Sequence, residues 1–318
     1  MASIPKLVIL LLCTCLHTLL AHGGDDLRTY KVLHAGALKS ATVNCSQPQV
    51  TPSYGGVTVP LHHRHGPCSP SPVPSTKAPT LQEMLRRDQL RAAYITRNQS
   101  ESGNLLEDQT DGLMGLGGGA ESLATQTAGT FGKAFSYCLP PTPDSSGFLT
   151  LGAATSGFVV KTPMLRSSEV PSYYGVRLQA IRVGGRQLSI PASVFSAGSI
   201  MDSGTIITRL PATAYSALSS AFKAGMKQYP PAQPMGIFDT CFDFSGQSSV
   251  SIPSVALVFS GGVVIDLATD GIILDSCLAF AANTDDSSLG IIGNVQQRTI
   301  EVLYDVGGGA VGFKAGAC

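Results

Sequence analysis

Ile200-Met201-Asp202-Ser203-Gly204-Thr205-Ile206-Ile207 sets one ionisable carboxylate inside a run that is otherwise apolar or β-branched around its polar centre. An unpaired carboxylate is costly to bury. Asp202 is therefore hydrogen-bonded, neutralised or put to chemical use. Gly204 lets backbone approach closely and offers an N–H toward the carboxylate. Ser203 and Thr205 offer hydroxyls that can hold it in one orientation. A capped turn bonded to its own loop would satisfy the same groups. The tetrapeptide alone leaves both readings open.

Further along, Leu289-Gly290-Ile291-Ile292-Gly293-Asn294 carries two bulky apolar residues followed by glycine. Asp111-Gly112-Leu113-Met114-Gly115-Leu116-Gly117 repeats that pattern, which suggests an internal duplication. Neither segment has the glycine spacing of a phosphate-binding loop. Between and around them, the chain from about residue 111 reads as short β-like runs separated by Gly and Pro. Tyr173 to Val183, Gln187 to Ile190, Ile200 to Leu210, Val255 to Phe259, Val263 to Leu267, Thr299 to Tyr304 and Ala310 to Phe313 are the candidate strands. Pro211 to Gln228 reads as a helix, with Tyr215, Leu218, Phe222 and Met226 on one side. With 35 Gly, 20 Pro and 43% apolar residues, the expected class is all-β with a large core.

The first hundred residues read differently. Lys6 precedes an apolar run from Leu7 to Ala21, which fits a signal peptide over residues 1–23 rather than a membrane anchor. The run is short for a spanning helix, and no later stretch is long and apolar enough to cross a membrane. Residues 43–80 are rich in Pro, Ser and Thr, so no packed element is expected there. Residues 80–97 then read as one helix. Thr80 and Glu83 have capping-box spacing, and Leu81, Met84, Leu85, Ala92 and Ile95 share a face that Asp88 interrupts. Arg87 and Arg91 flank that face. Residues 1–97 hold 10 Lys+Arg against 4 Asp+Glu, while residues 98–318 hold 11 against 17, so a net charge of zero conceals +6 beside −6. A basic prosegment over residues 24–97, lying across an acidic cleft and loosened by acid, is the expectation.

Composition excludes several chemistries. All six histidines lie before residue 66, so Ser-His-Asp and Cys-His catalysis have no base in the body, and His-ligated zinc has no ligands there. The body has no basic stripe for nucleic acid. No metal, nucleotide or organic cofactor is expected. Cys138, Cys241, Cys277 and Cys318 form an even set in a secreted body, and spacing alone allows three pairings. Asn44-Cys45-Ser46 and Asn98-Gln99-Ser100 are glycosylation sequons consistent with a secretory route, extracellular or vacuolar.

Asp202-Ser203-Gly204-Thr205 followed about ninety residues later by Ile291-Ile292-Gly293 resembles one lobe of the pepsin-like aspartic proteases. Phe135-Ser136-Tyr137-Cys138-Leu139-Pro140, Tyr173-Tyr174-Gly175-Val176, Val183-Gly184-Gly185, Cys241-Phe242-Asp243-Phe244 and Val311-Gly312-Phe313 are similar to the plant nepenthesin-like branch. Leu61 to Pro70 resembles that branch's prosegment. The resemblance implies disulfides Cys241–Cys277 and Cys138–Cys318. It also implies Asp202 as a catalytic carboxylate, Ser203 as a hydroxyl reaching the other lobe, and Thr205 as the hydrogen-bonding support of Asp202. It implies an apolar-Gly strand (Ile291, Ile292, Gly293) threaded beside the Asp loop. Protein or peptide substrates and a monomeric state go with it.

The chain departs from that family at one decisive point. A complete member has one Asp-Ser/Thr-Gly per lobe, and this chain has one in all. Asp144-Ser145-Ser146, Asp239-Thr240-Cys241 and Asp275-Ser276-Cys277 lack the glycine. Residues 98–165 then resemble the end of a first lobe, most of which is absent, and residues 166–318 a complete C-terminal lobe. The family's hydrolysis needs two carboxylates sharing one proton: one activates water and the other polarises the scissile carbonyl. A chain with Asp202 alone is expected to be inactive as a monomer. Two copies pairing their Asp202 residues would be one escape, and a non-catalytic peptide- or inhibitor-binding protein is the alternative function.

Overall fold

The structure, a computed structural model, describes residues 29–34, 56–63, 66–69, 79–96, 114–142, 144–168 and 171–318. The expected signal peptide, both sequons and the segment from Ser100 to Asp111 lie outside these residues.

The described body is built from three main sheets. One antiparallel sheet of six strands runs in the order Val57–His62, Ser146–Leu151, Ala134–Cys138, Ile300–Asp305, Ala310–Ala315 and Val160–Pro163. It joins the stretch expected to be a first-lobe remnant directly to the C-terminal hairpin, with Tyr137 opposite Val302 and Val311 opposite Thr162. The residue-165 boundary read from the sequence is thus no boundary of the sheet. A second, mixed sheet of five strands carries the Asp202 motif, in the order Phe280–Ala282, Thr208–Leu210, Gly290–Ile292, Ser199–Met201 and Gly175–Val176. A third holds Val263–Asp266, Val255–Phe259, Leu178–Val183 and Arg186–Gln187.

Helices are few. We label them α1 (Leu81–Thr96), α2 (Leu123–Gln126), α3 (Ala128–Phe131) and α4 (Ala212–Gly225). In α4 the residues Tyr215, Leu218 and Phe222 recur every three or four positions and are buried, as the 3.6-residue period requires. They join a continuous core with Phe135, Val176, Leu210, Phe259, Val302 and Phe313. Disulfides Cys138–Cys318 and Cys241–Cys277 are both formed. The first ties the six-stranded sheet to the chain end.

Three local expectations are corrected. Residues 43–80 do contain packed structure, because Val57–His62 pairs with Ser146–Leu151. Its Val57-Thr58-Val59 run is β-branched, and Pro60, which lacks an N–H, is tolerated because the strand lies at the sheet edge. Ile200 to Leu210 is not one strand. It is two, Ser199–Met201 and Thr208–Leu210, separated by the loop in which Asp202 bonds its own backbone. The strand expected at Gln187 to Ile190 shrinks to Arg186–Gln187. An unanticipated strand, Tyr30–His34, lies antiparallel to Ser249–Pro253.

Candidate functional site

Asp202 leaves the Ser199–Met201 strand at the point where that strand runs parallel to Gly290–Ile292, with Ile291 beside Ile200 and Ile292 beside Met201. Its own N–H donates to the Ile292 carbonyl at 3.0 Å. The loop then folds back on this neighbour. Asn294 donates from its backbone N–H to the Thr205 carbonyl (2.7 Å) and from its side chain to the Ser203 carbonyl (3.0 Å). The crossing is tight. A Cβ added to Gly293 would lie 2.7 Å from the Ile206 carbonyl oxygen, so only glycine lets the two backbones pass. The apolar-Gly strand and the Asp loop are therefore one structural unit.

Four donors converge on the Asp202 carboxylate. The Gly204 N–H reaches Oδ1 at 3.1 Å and the Thr205 hydroxyl reaches Oδ2 at 2.6 Å. The other two come from α1, which packs over the loop. Arg91 donates from Nε to Oδ2 (3.0 Å) and from Nη2 to Oδ1 (2.9 Å), a two-bond fork that matches the planar carboxylate. Gly204 also makes room for that fork, since a Cβ there would sit 2.6 Å from the guanidinium carbon. Burial is the largest single influence on Arg91 and opposes its charge, but the hydrogen bond to Asp202 together with the charges of Asp202, Tyr173 and Asp88 outweighs it and strengthens the guanidinium's hold on the proton.

Three residues earlier on α1, Asp88 forms the reverse contact. Its side chain is wholly buried, and Arg209 donates from Nη2 to Oδ2 at 2.8 Å. The N–H groups of Ile206 and Ile207 donate to Oδ1. Burial pushes the Asp88 carboxyl above the usual carboxylate range, and Arg209 only partly offsets this. The residue that broke the apolar stripe of the helix is thus an anchor. Apolar contacts flank it on both sides: Leu85 joins a cluster with Ile207 and Phe238, while Ala92 and Ile95 pack with Ile200 and Ile291. The N-terminus of α1 is capped as its sequence suggests, with the Thr80 N–H donating to Glu83 at 2.8 Å and the Glu83 N–H donating to the Thr80 hydroxyl at 3.2 Å.

Ser203 lies close to Tyr137 of the Ala134–Cys138 strand. Its side chain interacts with Tyr137, whose hydroxyl donates to Gln297 and lies 2.9 Å from the Tyr304 hydroxyl. Tyr137 and Tyr304 are fully enclosed, and desolvation drives both phenols well above their ordinary value, so they remain protonated hydrogen-bonding groups. Sequence reasoning singled out neither Asp88 nor Tyr137 as site residues. The irregular helix stripe and a tyrosine inside an apolar strand were the available signals.

The Asp-Ser/Thr pairs at Asp144, Asp239 and Asp275 lie elsewhere in the structure. Asp239 accepts bonds from the Tyr215 and Thr240 hydroxyls. Asp275 and Ser276 have φ of 47° and 68° and form the tip of the hairpin that pairs Ile273–Leu274 with Cys277–Leu278, where a tight two-residue turn calls for positive φ. Asp144 lies outside any strand of the site. Among the described residues, the hydrogen-bond and ion-pair partners of Asp202 include no second carboxylate. No group of His, Cys, Asp and Glu suited to a metal ion occurs among the described residues, and no helix there is long and apolar enough to cross a membrane.

Comparison with known proteins gives a consistent outcome. Two family models match, "Xylanase inhibitor N-terminal" over residues 73–153 and "Xylanase inhibitor C-terminal" over residues 173–315. An aspartyl protease family protein of Arabidopsis thaliana is 50% identical over 214 residues, covering 65% of this chain and 45% of the relative. The aspartyl protease AED1 of the same plant is 42% identical over 242 residues, covering 74% of this chain and 51% of the relative. Nepenthesin-2 of Nepenthes gracilis is 36% identical, over 65% of this chain and 50% of its own length. The chain spans about half the length of the curated relatives it matches. Among solved structures, soybean basic 7S globulin aligns with a TM-score of 0.54 at 24% identity, covering 68% of this chain and 59% of that one. Lupine conglutin gamma aligns at 0.56 and 22% identity, covering 66% and 58%. These two show the fold.

Proposed function

The chain belongs to the plant pepsin-like aspartic protease family, and from that premise we propose that it is an aspartic endopeptidase by descent which, as a single chain, does not hydrolyse peptides. The observation that carries this reading is the Asp202 carboxylate, held by Gly204, Thr205 and the Arg91 fork with no carboxylate among its partners in the described residues. A lone carboxylate can either activate water or polarise a carbonyl, and the family's reaction needs both at once. Asp202 would take one of those roles, with Thr205 and Gly204 fixing its orientation and Ser203 turned toward the first-lobe side. Residues 24–97 act as the prosegment of residues 98–318 in this reading, and the product enters the secretory pathway, with Asn44 and Asn98 as glycosylation positions and residues 1–23 as the signal peptide. Peptides are its ligands.

A second reading has an observation of its own. The face around Asp202 already holds a peptide segment, α1, through apolar contacts and a guanidinium–carboxylate fork. A non-catalytic protein that binds peptides or protein inhibitors at this face fits that geometry. Hydrolysis of a mixed peptide library at acid and neutral pH by the full chain, beside Asp202→Asn, separates the readings. The proposal expects no cleavage attributable to Asp202. Acid-dependent cleavage that disappears in Asp202→Asn overturns it and shows that the residue finds a second carboxylate, for instance in a paired copy.

A further inference from the structure

A cavity of about 220 Å³ lies between the short helices α2 and α3 and the six-stranded sheet, lined by different residues from those that hold Asp202. Ala124, Ala128 and Phe131 form its helical wall, and Phe135 and Leu151, paired across adjacent strands, form its sheet wall. The charged residues that line it are Lys133 and Arg166, both cationic. Arg166 is held in place at this cavity. Its guanidinium carbon lies 4.8 Å from the centre of the Tyr174 ring, Nη2 donates to the Pro171 carbonyl at 2.7 Å, and Nη1 donates to the Tyr173 carbonyl at 3.3 Å. A Cβ at Gly118 would lie 2.1 Å from Nη2, so glycine is what leaves the guanidinium its place. The fork has five N–H donors, and those two carbonyls engage two of them.

Among the described residues this apolar chamber is lined by two cations and no anion, and such a lining selects for a particular ligand chemistry. An apolar cavity of about 150 Å³ accommodates a benzene ring. The space here takes a ring with a short tail. We propose that this cavity binds a compact monocarboxylate, an arylalkanoate or a short-chain fatty acid, with the apolar part between α3 and the Phe135–Leu151 wall and the carboxylate against Arg166 and Lys133. A rigid planar fork stacked on an aromatic ring loses little freedom when it meets a carboxylate, which favours the anion over an alcohol of equal size. The site is independent of the Asp202 reading and stands whether or not the chain cleaves peptides.

The test is titration of the full chain with 3-phenylpropanoate and, separately, with 3-phenylpropan-1-ol, by calorimetry and by ligand-observed NMR at neutral pH and low salt. Saturable binding of the acid is expected, at least fivefold tighter than the alcohol. Ala128→Phe, which fills the chamber, removes binding of both. Arg166→Gln and the exposed Lys133→Gln each bring the acid down toward the alcohol while the alcohol is unchanged. Thermal unfolding of each variant confirms that it folds, and the Lys133 variant keeps the charge test intact if substitution of Arg166 disturbs its carbonyl contacts. Absence of saturable acid binding, equal affinity for acid and alcohol, or undiminished binding in a folded Ala128→Phe overturns the proposal.

Discussion

Asp88 and Arg91 sit one turn apart on the same helix and face the same loop, yet their ion pairs inhabit different surroundings. In Asp88–Arg209 the side chains are 0% and 8% exposed, whereas in Arg91–Asp202 they are 30% for Arg91 and 13% for Asp202. The polarity is reversed as well: the helix gives a carboxylate to the body in one and a guanidinium in the other. The basic-leader, acidic-body expectation captured only the second of these. The comparison separates two jobs. A buried pair contributes little net stability but is damaging to break, because its surviving member is left charged and unpaired. A partly exposed pair is screened and contributes modestly, so its main consequence is occupancy of the carboxylate.

The largest expected effect comes from breaking the buried side. Asp88→Ala strands Arg209, whose Nε already lacks a partner, and leaves the Ile206 N–H without its acceptor. A loss of about 3–5 kcal/mol is expected, with proteolytic nicking within α1 as its early sign, read by denaturant unfolding and timed digestion. Replacing both members together, Asp88→Leu with Arg209→Met, should recover much of that loss. If the single substitution costs no more than a surface change, α1 is not anchored there.

Breaking the exposed side is expected to do far less to the fold. Arg91→Met keeps the apolar stem over the loop and should cost about 1 kcal/mol or less by the same unfolding assay. Its sharper readout is a rise in the reactivity of the Asp202 carboxylate toward a water-soluble carbodiimide, followed by mass spectrometry. Unchanged labelling would mean that Arg91 does not cover it.

The smallest effect is one of pH. Burial holds Asp88 above the ordinary carboxylate range, so the folded protein binds that proton more tightly than the unfolded chain. As pH falls from neutral toward about 4, the ordinary carboxylate value, this group favours the folded form increasingly, and below that value the gain is complete. The Asp88 contribution therefore opposes acid release of α1. Wild-type melting temperature should rise relative to that of Asp88→Asn on going from pH 7 to pH 4.5. A relative fall would mean that the Arg209 pair outweighs burial and holds this carboxyl below its ordinary range.

Much of this was legible beforehand because local chemistry dictated it. Asp202-Ser203-Gly204-Thr205 supplies its own loop bonds within three residues, and Tyr215, Leu218 and Phe222 declare a helix by period alone. The capping box at Thr80 and Glu83 is equally local. What stayed hidden depends on partners that are distant in the sequence. Asp88 looked like an interruption because Arg209 lies on a strand that the helix meets only after folding. Val57–His62 was concealed by proline-rich surroundings, since composition reports turn chemistry and says nothing of a sheet edge waiting to be extended. The cations at the α2–α3 cavity gave no sequence signal, because Lys133 and Arg166 stand 33 positions apart with no shared motif.

The most direct test of the central claim is peptide hydrolysis at acid pH by Arg91→Ala, a variant that bares Asp202 while leaving the Asp88–Arg209 anchor in place, measured beside Arg91→Ala with Asp202→Asn. The account predicts no cleavage by either, because uncovering one carboxylate does not supply the second. Cleavage by the first that vanishes in the double variant would contradict it, and would make α1 the sole brake on a working protease.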